Sequence, residues 1–427
     1  MAAISRSPGA SLTRYAQRRF GVSDLQPHFD KDFRCIGPAC EDMCCDVWNV
    51  FLDKRTYEKY QTSPDLRAVA DQHFVRITEA PTDSKYALVN FPGPSRICPF
   101  LAEDHWCNIH KEHGPAYLPP VCHTYPRVQR SSASLTRNLL HLSCPEAARL
   151  VLLQKEFVPI DRNVDDNRPR LQRFLRMTEQ PAKSNGSTHN SDILTFAILL
   201  VQDRAYQPWE RLFMLGMFSQ RLAALSLKNQ TKMIPTALAD FAGMVKHMRL
   251  QSVMDSVPAQ TTAQLSAVIE VVHRIQTKKV VSARTLECLR DFISGVRYDA
   301  SLPIDAMAPA YAEAYERYYK PFFDQHPFIL ENYLSNYLLR TQFPLGPVPA
   351  GEPQTPLTAF FLMCLQFAVI KGLLIGMAGH YREAFSTDHV VKLIQCFSKQ
   401  VEHSADLLDG LNKNLITAGG FALLLKN

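Results

Sequence analysis

Four thiols, Cys35, Cys40, Cys44 and Cys45, fall within eleven residues, and the last two are adjacent. Cys98, Cys107, Cys122 and Cys144 follow, so eight of the chain's 11 cysteines lie between residues 35 and 144. The remaining Cys288, Cys364 and Cys396 are scattered through apolar helical patterns. No apolar signal segment precedes the cluster, which places these thiols in a reducing cytosol. There disulfides are rare, and clustered thiols mean metal or redox chemistry. The segment must therefore fold so that loops distant in sequence bring their thiols to one small volume.

Three chemical readings compete. A structural zinc site takes about four tetrahedral ligands, typically from two C-x2-4-C knuckles. Cys40-x3-Cys44 fits one knuckle, but Cys98 and Cys107 have eight residues between them and form no second one. An iron–sulfur centre takes thiolates from separated loops and tolerates looser spacing. The neighbouring Cys44 and Cys45 point apart, which suits a centre of larger span or two nearby metals. Eight unrelated buried cysteines in one window, several beside Gly or Pro, would be unusual. His105, His110, His113 and His123 lie in the same region and could add nitrogen ligands, His123 foremost because it follows Cys122. Glu41, Asp42 and Asp46 would repel thiolates unless a cation is present, which favours a metal.

Other function classes are excluded. A net charge of +6, spread along the chain, leaves no nucleic-acid footprint. No glycine pair is spaced G-x-G, so a dinucleotide fingerprint and the glycine-rich methyltransferase loop are both missing. P-loop, H-E-x-x-H and G-x-S-x-G motifs are also missing. The C-x3-C-x2-C signature of radical enzymes that use S-adenosylmethionine fails because its third thiol would fall on Val47. The apolar run 357–379 carries Gln366 and Lys371, and its uninterrupted part is shorter than the ~20 residues of a membrane span. It reads as a buried helix started by Thr355 and Pro356, with Gly372 and Gly376 marking a close helix contact. No membrane role is expected.

Four units are expected. Residues 1–32, rich in Arg and Ser near the start, form a flexible extension. Residues 33–157 form an irregular cysteine-rich α+β domain, with a helix after Asp53 and short strands near Arg76–Thr78 and Tyr86–Phe91. Prolines close to Cys98, Cys122 and Cys144 exclude long helices there. Residues 158–190 are a polar connector. Residues 191–427 are all helical, so the chain as a whole is mainly α. Expected helices run from Ser191 to about Tyr206, Pro208 to Leu227, Pro235 to Val253, Thr261 to Lys278, Ser282 to Val296, and onward from Thr387. Pro321 and Pro327 are expected to break the aromatic-rich stretch 309–340. Its tyrosines Tyr311, Tyr315, Tyr318, Tyr319, Tyr333 and Tyr337 read first as helix packing and second as an aromatic channel for a substrate or a charged methyl donor.

The run Cys35-Ile-Gly-Pro-Ala-Cys40-Glu-Asp-Met-Cys44-Cys45-Asp-Val-Trp48, followed by Asp53, Thr56-Tyr57 and Tyr60, resembles the opening of the flagellin lysine-N-methylase family. That family sits in a wider group with a zinc- or iron-chelating CxxCxxCC-type motif. The resemblance continues through Cys98-Pro-Phe-Leu, Cys107-Asn-Ile-His, Cys122-His-Thr-Tyr-Pro-Arg and Leu142-Ser-Cys144-Pro-Glu-Ala-Ala-Arg149. It reaches the helical part in Leu200-Val-Gln-Asp-Arg-Ala-Tyr206 and Ile329-Leu-Glu-Asn-Tyr-Leu-Ser-Asn-Tyr337, and so covers roughly 30–427. The spacing C-x4-C-x3-C-C is looser than that of the wider group.

This resemblance implies a cytoplasmic enzyme that transfers methyl groups from S-adenosylmethionine to flagellin lysines and carries an iron–sulfur cluster, 4Fe-4S in type. Its metal-site cysteines map to Cys35, Cys40, Cys44, Cys45, Cys98, Cys107, Cys122 and Cys144. A four-iron cluster needs only four thiolates, and Cys40, Cys44, Cys45, Cys98, Cys107 and Cys122 rank ahead of Cys35 and Cys144. Zinc is the alternative metal, and a non-catalytic zinc- or iron-chelating carrier or adaptor is the alternative function. Catalytic and donor-binding residues are not identified at this level.

Overall fold

The structure is a computed structural model, and the residues described are 27, 29–44, 49–91, 97–132, 135–157, 189–278, 280–348, 353–402 and 425–427. Cys45, nearly all of the expected extension 1–32 and most of the connector 158–190 lie outside them. The chain is mainly α, as its sequence implies.

After the short helix α1 (Phe29–Asp32) and a 3-10 turn at Gly37–Ala39, β1 (Phe51–Leu52) leads into α2 (Lys54–Thr62) and α3 (Pro64–His73). Asp53 is the N-cap of α2, accepting a 2.9 Å hydrogen bond from the Thr56 N–H. β2 (Phe74–Arg76) and β3 (Ala87–Val89) complete an antiparallel sheet of order β1-β3-β2, with Leu88 opposite Phe51 on one side and Val75 on the other. Short helices α4 (Asn108–His113) and α5 (Pro120–Thr124) follow. Leu52, Tyr60, Leu66, Ala70, Phe74, Ala87, Val89, Phe100 and Ile109 close a small core over this sheet. The Tyr60 hydroxyl ties it off by donating to the Tyr117 carbonyl at 2.8 Å.

The hairpin β4 (Arg127–Ser132) and β5 (Leu135–Leu140) and helix α6 (Pro145–Leu152) bury Leu139, Leu140, Ala147, Ala148 and Val151 in a second, much larger core. That core is built by α7 (His189–Val201), α8 (Pro208–Leu227), α9 (Ile234–Lys246), α10 (Gln251–Asp255), α11 (Thr261–Gln276), α12 (Ala283–Gly295) and α13 (Ala308–Ala314). It continues through α14 (Lys320–Gln325), α15 (Phe328–Thr341), α16 (Pro356–Tyr381) and α17 (Thr387–Gln400). Helix α8 has the expected limits, and Ser282 caps α12.

Three expectations need correction. Helix α7 begins at His189, two residues before Ser191, and ends at Val201, because the Asp203 carboxylate takes the Ala205 N–H at 3.0 Å in a turn that competes with the helix. The stretch Pro235–Val253 is two helices, since Met248 turns left-handed (φ 52°) and the Arg249 N–H returns to the Met244 carbonyl. Pro321 breaks nothing. A π-helical turn at Tyr315–Tyr319 carries α13 into α14, and Pro321 sits in the first turn, where its missing N–H costs little.

Helix α16 is the axis of the large core. Thr355 and Thr358 form its capping box, and its apolar length is buried throughout by the surrounding helices. The expected glycine contact is present. A Cβ at Gly295 of α12 would collide with the Gly376 carbonyl, and one at Gly372 would collide with Val268 of α11. Only hydrogen at these positions lets the backbones meet. Polar side chains on α15 then fasten the hairpin and α6: Asn336 donates to the Leu140 carbonyl at 3.2 Å, and Asn332 to the Leu152 carbonyl at 3.1 Å.

Candidate functional site

The thiols occupy the loops where the small core meets the large one. Cys98 and Cys107 flank a tight turn closed by Leu101 N–H to Cys98 carbonyl (3.1 Å) and Asn108 N–H to Phe100 carbonyl (2.8 Å). Cys98 is buried in the small core, and the half-buried Cys107 and Cys122 pack against it. Within this turn Trp106 lies against Gly37, which suits the left-handed φ of 55° there. The loop Cys35–Cys40 is thereby brought beside Cys107. Cys35 itself is exposed, as is Cys44, while Cys40 and Cys144 are half-buried.

Two thiols sit at N-cap positions, Cys107 before α4 and Cys144 before α6. Burial pushes the Cys107 thiol up, while the backbone N–H groups of His110 and Ile109 draw it down and Cys98 and Cys44 push it up again. Cys144 is pushed up to about 12 by burial, against the pull of the Ala147 and Glu146 amides, with Cys40 and Cys44 adding repulsion. Cys122 is driven far up by burial, then by Cys98, Cys44 and Cys107. Cys40 is raised by burial first, with Glu41, Asp42 and Cys44 adding to it against the Asp42 amide. Two overlapping thiol groups result, Cys44 with Cys98, Cys107 and Cys122, and Cys44 with Cys40 and Cys144. Among the described residues no three His, Cys, Asp or Glu side chains stand as a group able to hold one metal ion.

The acidic side chains beside the thiols have another role than the one expected. Asp42 accepts 2.9 Å from Lys399 Nζ and 2.7 Å from Gln395 Nε2, both on α17, and Lys399 also donates to the Met43 carbonyl at 2.8 Å. The Lys399 and Asp42 side chains are 2% and 8% exposed, so this ion pair is shielded from water. Glu41 pairs with Arg149 of α6 and lies 4.0 Å from Arg284 of α12. Protein cations therefore answer Glu41 and Asp42, which no longer argue for a metal, and Asp46 lies outside the described residues. Together the ion pairs clamp the thiol loop to three helices of the large body. Sequence reasoning missed Lys399 and Gln395. Their signal was a polar i, i+4 pair, and both members are buried on α17.

Beneath the clamp, Ser143 Oγ meets the Tyr125 hydroxyl and His141 Nδ1, each at 2.9 Å, and Gln395 Nε2 donates to the Ser143 carbonyl at 2.8 Å. His141 Nε2 lies 3.6 Å from Glu402, which also pairs with Arg340. The hydroxyls of Tyr333 and Tyr337 are buried near Glu402 without a hydrogen-bond partner. Tyr311, Tyr319, Tyr333 and Tyr337 are core residues, and Tyr315 and Tyr318 pack partly buried against them, as the packing reading expects. His105 and His123 are exposed, His110 packs edge-on to Trp106, and His113 packs against Tyr117.

A model of the FliB lysine N-methylase C-terminal domain matches residues 195–424. The lysine-N-methylase of Salmonella typhimurium is 23% identical over 412 residues, covering 93% of this chain and 96% of that protein. The lysine-N-methylase of Salmonella choleraesuis matches to the same extent. The flagellar biosynthetic protein FliU of Salmonella muenchen is 33% identical over 133 residues, 31% of this chain and 78% of that protein. No solved structure matches.

Proposed function

Because the chain belongs to the FliB lysine N-methylase family and is a protein lysine methyltransferase, we propose that it methylates flagellin lysines in the cytoplasm, takes the methyl from S-adenosylmethionine, and carries an iron–sulfur cluster on its cysteines. The observation that carries this reading is a match to lysine-N-methylases along 93% of the chain, helices and cysteine loops alike. A non-catalytic metal carrier would have no need of the helical body that the family shares. The flagellar name of the third relative supports flagellin as substrate.

The reaction displaces a sulfonium leaving group with a neutral amine. Free lysine, with a pKa of ~10.4, reaches this state only after losing its proton, so the site must desolvate the ammonium or offer a proton acceptor. For the cluster, Cys44, Cys98, Cys107 and Cys122 are the proposed ligands, because Cys98, Cys107 and Cys122 pack in one small core and the exposed Cys44 lies close enough to raise both Cys107 and Cys122. Four thiolates are what a cluster of this type takes, and its width suits thiols that do not close on a single ion. Burial raises the Cys107 thiol, and the amides of His110 and Ile109 offset part of that rise. When bound, the cluster would cross-link these loops.

The test is incubation of anaerobically purified, full-length protein with flagellin and S-adenosylmethionine. Intact-mass analysis should show whole methyl increments on flagellin, abolished when the donor is left out. Unchanged flagellin with the donor present overturns the substrate assignment. Iron and sulfide should be present in equal amounts, lost from Cys98→Ser and Cys122→Ser and retained in Cys35→Ser. A colourless protein that holds zinc overturns the cluster.

A further inference from the structure

Helices α12 and α17 run antiparallel between two places. At one end Arg284 and Lys399 meet the thiol loop through Glu41 and Asp42. At the other, beyond Thr387, lies a pocket of about 380 Å³ between the C-terminal ends of α12 and α16 and the turn after α13. Lys399 and Thr387 are twelve residues apart on α17, so the thiols and the pocket are separated by ~18 Å of helix at ~1.5 Å per residue. The volume falls within the range of small-ligand sites, ~300–1,000 Å³.

Two local rules are broken at the wall of this pocket. Helix α12 closes with the Arg297 N–H on the Ser294 carbonyl and the Tyr298 N–H on the Ile293 carbonyl, a termination that normally puts glycine at the left-handed position. Arginine occupies it instead, at φ 54°. Helix α16 ends differently, on Arg382 at φ 52° and ψ −125° with its N–H returned to the Ala378 carbonyl, again a positive φ on a residue that is not glycine. Both strained arginines line the pocket, together with Arg317. Backbone strain of this kind collects at functional sites.

The opposite charge is present as well. Glu313, which pairs with Arg297 at 3.4 Å and Arg317 at 3.0 Å, and Glu383 share the lining. The carbonyl ends of two helices add partial negative charge, and Tyr318, with the Arg317 guanidinium 5.6 Å over its ring, is also in the lining. Among the described residues Arg382 and Glu383 have no ion-pair partner. A free cation beside a free anion matches a carboxylate beside an ammonium, the zwitterion of an α-amino acid.

We infer that this pocket is the methyl-donor site, with Arg382 receiving the carboxylate and Glu383 the α-ammonium of the donor's amino-acid end. The inference rests on the sulfonium-donor reading above. It deepens that reading by separating the donor from the thiols, so that the cluster braces the fold and does not touch the methyl group.

The test is calorimetric titration of full-length, metal-replete protein with S-adenosylmethionine, S-adenosylhomocysteine and free methionine. Arg382→Gly is the decisive variant, because glycine suits the left-handed backbone at 382 and the fold should gain stability. It should nonetheless bind both adenosyl compounds at least tenfold more weakly, with iron content unchanged. Glu383→Gln should show a smaller loss in the same direction. Methionine, which carries the zwitterion alone, should bind weakly and compete with both compounds; competition as strong as theirs would mean that the pocket serves free amino acids and would overturn the donor assignment. Wild-type protein that binds the donor while Arg382→Gly binds it equally well overturns the pocket and leaves the enzyme reading intact. Wild-type protein that binds neither adenosyl compound overturns both.

Discussion

Around Leu52 and Val89 the chain packs strands of two and three residues under two modest helices, and three of its buried or half-buried side chains are thiols. Around Ile370 and Phe292 it packs long helices so closely that glycine is required where they cross. The first region is held by caps, a few tyrosine contacts and polar ties to its neighbour, whereas the second is held by dense apolar contact. Small cores bury too little apolar surface to be stable alone. This contrast explains why the ion pairs from Asp42 and Glu41 reach out of the first region into the second.

Cutting that tie is the severest way to break the contrast. Lys399→Met leaves Asp42 charged, 8% exposed and without its cation. Stranding one partner of a buried pair costs ~3–5 kcal/mol, which denaturant unfolding should show. Replacing both partners, Asp42→Leu with Lys399→Met, should restore most of the loss. Equal destabilisation of the single and double variants would mean that the clamp is ordinary packing. Trp106 in the small region and Trp209 in the large one can follow the two parts by fluorescence once Trp48 is replaced.

Within the helical body the corresponding lesion is Gly295→Ala. Its Cβ enters the Gly376 backbone, which cannot move as a side-chain tip can, so a loss near the top of the ~1–3 kcal/mol range for overpacking is expected. Gly243→Ala in α9 is the control. Nothing lies within 4 Å of its Cβ position, and the change should stabilise by ~0.5–1 kcal/mol. Equal melting shifts for the two would show that the α12–α16 seam is not tight.

The dryness of that body has its own readout. Lys371 lies in the middle of α16, donates 2.6 Å to the Leu425 carbonyl, and is pushed down from 10.5 to about 7 by burial. Between these values the unfolded chain holds a proton that the folded chain does not, so stability rises with pH through this window. It is full above the unfolded value and declines by about 1.4 kcal/mol per pH unit as pH falls toward 7. Lys371→Met should flatten the slope measured by urea unfolding at pH 7, 8 and 9. A slope unchanged by the substitution would mean that water reaches the amine.

Signals local to one segment were legible in the sequence. Thr355-Pro356 started α16, Pro208 and Leu227 bounded α8, Ser282 capped α12, and Gly372 with Gly376 marked a close contact. Each depends on residues within a turn or two. The clamp depends on Asp42 meeting Lys399 across nearly the whole chain, and no periodicity encodes that. The thiol positions were clear, but their placement at N-caps and their division through Cys44 into two groups emerge only once the loops are folded. Arg297 and Arg382 were hidden for another reason. They stand where local rules call for glycine, so the pattern that would have marked a helix end was missing.

The mildest test asks whether the small region folds on its own account. Asp53 caps α2 through the Thr56 N–H, and α2 supplies Tyr60 to the small core. Asp53→Ala should cost ~1 kcal/mol, as loss of an N-cap does. If the two regions unfold together through the Asp42 and Glu41 ties, Trp106 and Trp209 will report the same shift. If the small region opens first, Trp106 alone will move. In that case a bound cluster should reverse the effect, because ligation of Cys98, Cys107 and Cys122 would hold the loops that the cap no longer supports. A joint transition insensitive to iron would place the stability of the cysteine region in its contacts with the helices.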